Sequence, residues 1–186
     1  MRRLLLALLL PAAAGAQPGP LSQSGPRVGV TYLPPAVVER INEIADEGAG
    51  DAIHPAFPLV TQVGWQFEFR TFQNDAGVTG LAEFVPLLSG LERGLLLPTL
   101  TVLSGLRTPS GTEFGVGPNV ALSPAEDTRG GYDLAAARPR FGLALVAGTN
   151  HRLDGFSVPV NGAVVLGEGG LRASLLLGLN TSATRY

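Results

Sequence analysis

Apolar and polar residues alternate strictly over windows of about ten residues, and no other feature limits the possible folds of this chain so much. In the segment TQVGWQFEFR, residues 61–70, Val63, Trp65, Phe67 and Phe69 fall on one side, and Gln62, Gly64, Gln66, Glu68 and Arg70 on the other. Only an extended strand sorts side chains with a period of two, since a helix would spread the same residues around its axis. The segment TEFGVGPNVAL, 112–122, sets Phe114, Val116, Pro118, Val120 and Leu122 against Glu113, Gly115, Gly117, Asn119 and Ala121. In RFGLALVAGTN, 140–150, Phe141, Leu143, Leu145 and Ala147 oppose Arg140, Gly142, Ala144 and Gly148. LRASLLLGLNT, 171–181, repeats the pattern with Leu171, Ala173, Leu175, Leu177 and Leu179 against Arg172, Ser174, Gly178 and Asn180, and Leu176 is its one exception.

Less regular windows at 79–89, 95–107 and 155–166, and a shorter one at 27–33, bring the expected strands to about eight. Seven of them are about 11 to 13 residues long, more than the five or six usual in soluble sheets and close to the roughly 9 to 11 that a tilted strand needs to cross a bilayer. Short polar turns, QNDAG, TPSG and HRLDG, join segments 2 to 3, 4 to 5 and 6 to 7. The other connections are the long first one, SGLERG, SPAEDTRGGYDLAAARP and GEGG. Tight turns at one end and longer loops at the other predict an antiparallel up-and-down β-barrel of about eight strands, with both termini at the tight-turn end. One stretch breaks the pattern. PPAVVERINEIADEG opens on prolines, spaces Val37, Val38, Ile41, Ile44 and Ala45 at helical intervals and stops at Gly48. It predicts one short amphipathic helix, about 35–47, between the first two strands, able to cap the barrel mouth, plug the lumen or lie on a membrane interface.

The first sixteen residues read as a cleavable export signal. Arg2 and Arg3 precede an apolar run from Leu4 to Leu10, Pro11 breaks it, and Ala14-Gly15-Ala16 is an A-x-A cleavage site. The run is too short for a membrane anchor, which needs about 20 apolar residues. Residues 17–26 are then expected to be a flexible N-terminal segment and 27–186 the barrel domain. The chain has no Cys, which removes disulfides and thiolate metal sites, and no Lys, so all 13 basic side chains are Arg. A formal net charge of -2 argues against a nucleic-acid partner.

Charge is segregated between the two faces. Glu68, Arg70, Glu83, Arg107, Glu113, Arg140 and Arg172 all fall opposite the apolar face, which predicts a lumen network of paired charges. Trp65, Phe67, Phe69, Phe114, Phe141, Leu175 and Leu177 are expected to face lipid. Small residues (Gly, Ala, Ser, Thr, Asn) dominate the polar face, as a narrow lumen requires. The same alternation, turned inside out, would describe a soluble periplasmic barrel with an apolar ligand pocket. Pro86, Pro98, Pro118 and Pro159 lie inside expected strands, and each removes a ladder donor.

In architecture the chain resembles the small eight-stranded outer-membrane barrels of Gram-negative bacteria over nearly its whole mature length. Such proteins usually end on an aromatic residue, as this one does at Tyr186. The resemblance implies an outer-membrane location, membrane lipid and the barrel-assembly machinery as partners, and a structural, interaction or minor transport role. A lipid-modifying enzyme is the remaining alternative, but His54 and His151 are the only histidines and no G-x-S-x-G elbow occurs. No catalytic residue, cofactor or metal site is expected, and oligomeric state leaves no signal in the sequence.

Overall fold

The computed structural model describes residues 23–39, 57–93, 96–123, 137–153, 156–168 and 170–181. Its strands are β1 (Gly25–Tyr32), β2 (Leu59–Gln73), β3 (Thr79–Ser89), β4 (Leu97–Arg107), β5 (Thr112–Ser123), β6 (Arg138–Leu153), β7 (Phe156–Gly167) and β8 (Gly170–Gly178), with β9 (Asn180–Thr181) prolonging β8 past Leu179. Each strand pairs antiparallel with its chain neighbour, and β1 pairs with β8, which closes an eight-stranded up-and-down barrel. Residues 35–39 are helical and give the short helix expected between β1 and β2, and a 3₁₀ turn, Leu91–Arg93, lies between β3 and β4.

Strand β1 begins at Gly25, two residues before the expected boundary. The export signal, residues 40–47 of the expected helix, His54, most of the 123–139 loop and Tyr186 lie outside the described residues. Two turns share one construction. Asn74 Oδ1 accepts the N–H of Val78 at 2.9 Å, and Thr108 Oγ1 accepts that of Thr112 at 3.1 Å. In both, the intervening Gly donates its N–H to the backbone carbonyl of the same residue, Gly77 to Asn74 and Gly111 to Thr108. Gly111 has φ 90°, a conformation that only glycine adopts without strain. The β6–β7 ladder runs out to Leu153 and Phe156, so His151, expected in the turn, is an exposed strand residue paired with Val158.

The prolines are accommodated one ladder at a time. In an antiparallel strand a residue's N–H and C=O both point toward the same neighbour, so a missing donor affects only one side. Pro86 keeps its pairing to Leu100 on β4, while the β2–β3 ladder skips from Gly64 and Leu87 to Phe67 and Phe84. Pro118 keeps Leu143 on β6, while the β4–β5 ladder skips from Thr101 and Asn119 to Ser104 and Val116. Pro159 keeps Asn150, and on its other side pairing to β8 gives way to pairing with β9. Pro98 pairs with Leu88 near the start of β4.

Sidedness follows the alternation. Leu81, Val85, Leu87, Leu103, Ala121, Ala144, Val165 and Leu176 point inward together with buried Gln, Asn, Thr, Glu and Arg side chains. Val28, Trp65, Phe67, Phe84, Val102, Phe114, Phe141, Leu145, Leu166 and Leu175 point outward and are exposed.

Candidate functional site: the barrel lumen

Going inward from the tight-turn end, the lumen starts with charge. Arg107 on β4 is 4% exposed. Its Nη1 donates to Glu68 Oε1 at 2.9 Å, its Nη2 donates to Glu68 Oε2, and its Nε donates to Glu113 Oε1 at 2.6 Å. Glu68 belongs to β2 and Glu113 to β5, so one guanidinium ties three strands across the interior. Arg70 Nε stands 3.7 Å from Glu68 Oε1 on the solvent side. Glu83 is the cross-strand partner of Glu68 and is itself buried, within electrostatic reach of Glu68, Glu113, Arg107 and Arg27. Two neighbouring buried carboxylates are tolerable only where cations share the site.

Arg27 supplies the second cation, and the sequence inventory omitted it. Its Nε donates to Gln66 Oε1 at 2.9 Å and its Nη1 to Asn180 Oδ1 at 2.9 Å, which stitches β1 to β2 and β9. Arg27 lies in the shortest expected strand, yet the alternation of Arg27, Gly29 and Thr31 against Val28, Val30 and Tyr32 carried the signal. Gln23 also reaches inward, and its amide oxygen accepts a hydrogen bond from Asn150 Nδ2 on β6.

The middle of the lumen is apolar on one side. Val85, Leu87, Leu103, Ala144, Val165 and Leu176 form a buried cluster, which explains why Leu176 broke the alternation in β8. Beside it is a cavity of about 50 Å³ lined also by Gln62, Glu83, Thr101, Asn119, Asn161 and Arg172. Such a volume holds three or four waters, at roughly 10–15 Å³ for each water centre, and nothing larger.

At the loop end, Val37 and Val38 of the helix pack against Leu33, Val60 and Leu97, so the first turn of the helix covers the β1–β2–β4 part of the mouth. Arg172 and Arg140 stand on the β6–β8 part. Their cross-strand partners, Val165 and Ala121, are buried inside the barrel, and directly opposed residues share a face. Arg172 Nη2 donates to Asn119 Oδ1 at 2.5 Å, and Asn119 Nδ2 donates in turn to Thr101 Oγ1 at 2.8 Å.

No family model, curated protein or solved structure matches the chain. The geometry therefore speaks for itself. Of the seven charges expected in the lumen, Glu68, Arg70, Glu83, Arg107 and Glu113 gather at the tight-turn end, while Arg140 and Arg172 stand apart at the loop end. Trp65, Phe67, Phe69, Phe114, Phe141, Leu175 and Leu177 are all exposed on the outer wall.

Proposed function

We propose that this chain is an outer-membrane β-barrel with a structural or interaction role and a closed lumen. One observation carries the reading, namely the inverted polarity of the barrel. Phe69 is 63% exposed and Phe114 58%, while Glu68 is 2% exposed. In water, burying paired charges while exposing a belt of aromatic and aliphatic side chains around every strand is the unfavourable arrangement on both counts. Surrounded by hydrocarbon, the outer belt is solvated by lipid tails and the polar residues are enclosed.

The dimensions agree. On β2 the outward residues run from Leu59 to Phe69, with Thr61 as the polar member. Ten residue steps at about 3.3 Å, tilted about 40°, give a band of roughly 25 Å, the height of a transmembrane barrel's apolar girdle. A lipocalin-like periplasmic role would call for an apolar pocket of roughly 300 Å³ or more, whereas the cavity here is about 50 Å³ and flanked by Glu83 and Arg172.

Fractionation of cells producing the full chain tests the proposal. The protein is expected in the outer-membrane fraction, extracted only by detergent, and faster-migrating on a denaturing gel when unheated than when boiled. Recovery in the detergent-free periplasmic extract, with no heat-dependent shift, would overturn it.

A further inference from the structure

The arginines of the lumen are not equally provided for. Arg107 spends its donors on two carboxylates, and Arg27 reaches three side-chain or backbone oxygens at 2.9 Å with Glu83 in electrostatic range. Arg172 has a single hydrogen-bond partner among the described residues, the amide oxygen of Asn119. A guanidinium carries five N–H donors in a fixed fork, so most of this one is uncommitted among the described residues. Its charged neighbour is Arg140, a like charge. Among the described residues no carboxylate forms an ion pair with either, although both point into the barrel. Among the described residues these two neighbouring inward cations have no anion, which is unfavourable in a low-dielectric interior, and an oxyanion accepting from both would reverse that.

We infer that Arg140 and Arg172, with Asn119 and Thr101 behind them, form a binding site for a phosphate group at the loop-end mouth of the barrel. A phosphate monoester carries close to two negative charges at neutral pH, which matches two guanidinium groups, and its oxygens suit their forked donors. The helix turn bearing Val37 and Val38 covers the opposite part of the mouth. The cavity below Arg172, about 50 Å³ and lined by Glu83 and apolar side chains, has room for a few waters only, so the phosphate group is held at the mouth by the two guanidinium groups and whatever it is attached to stays outside. Both free phosphate and a phosphorylated lipid headgroup present this chemistry. The site belongs to the lumen and does not depend on what surrounds the barrel.

Thermal unfolding of the mature chain folded in neutral detergent micelles decides the matter. Inorganic phosphate is expected to raise the unfolding midpoint above that in chloride at equal ionic strength. Arg172→Gln and Arg140→Gln are each expected to weaken the apparent affinity at least about tenfold, while Arg70→Gln, at the opposite end of the barrel, leaves it unchanged. A rise with a phosphorylated glycolipid in the micelles, but none with inorganic phosphate, assigns the phosphate to a lipid headgroup. No rise with either overturns the proposal. In phosphate-free buffer Arg140→Gln should be at least as stable as the parent, since it removes an uncompensated charge. A clear loss of stability there would show that the protein itself pairs the charge, and would equally overturn it.

Discussion

Arg107 holds two carboxylates from two other strands, and that sharing makes it the most consequential side chain in the lumen. Removing one member of a buried ion cluster leaves the others desolvated and unopposed, which costs more than the cluster contributes. Arg107→Met is therefore expected to destabilise the barrel by about 3–5 kcal/mol. The triple variant Arg107→Met/Glu68→Leu/Glu113→Leu should lose less than the single one, because no unpaired carboxylate is then left at that position. Urea unfolding of the folded barrel, followed by tryptophan fluorescence from Trp65, measures both. A triple variant less stable than the single would mean that the cluster stabilises the fold outright. The partition of Glu68, Arg107 and Glu113 onto the inner face was readable from alternation alone. Which charge meets which was not, because Glu68 and Arg107 lie 39 residues apart and meet only through the closure and stagger of the barrel.

At the scale of the strand, period-two alternation located all eight elements, and 79–89 was placed to the residue. It could not show how the prolines fit, since that depends on which neighbour each missing N–H would have faced. Gly117 marks one such place. A Cβ there would sit 1.9 Å from the carbonyl oxygen of Val102, beside the gap in the β4–β5 ladder at Pro118. Gly162 on β7 is the contrast, exposed on the outer wall, where an added Cβ meets nothing nearer than the Ala147 oxygen at 3.8 Å. Gly117→Val is expected to cost about 2–3 kcal/mol through overpacking, and Gly162→Val to be close to neutral. The same substitution in two strands thus gives opposite outcomes, read as the fraction of folded, fast-migrating protein across a urea series. Equal losses would mean that backbone entropy rather than close approach sets the cost.

For the whole molecule the question is what the outer wall touches, and a single position can answer it. Leu145 lies midway along β6, faces outward and is 46% exposed, with outward Val116 and Val164 as its cross-strand partners. On a barrel surrounded by water, an arginine there would merely exchange an exposed apolar side chain for a solvated polar one, a change within about 0.5 kcal/mol of neutral. On a barrel surrounded by hydrocarbon the same guanidinium would sit near the bilayer midplane, at a cost of about 2–4 kcal/mol that falls toward the interfaces. Leu145→Arg is accordingly expected to destabilise the barrel folded in lipid bilayers by that amount. Leu171→Arg, at the loop-end rim of β8, should cost no more than about 1 kcal/mol. Reversible urea unfolding from vesicles gives both values. The depth dependence is the decisive quantity, because general damage to packing would affect both positions, whereas a penalty that peaks at Leu145 and fades at Leu171 requires a membrane around the barrel.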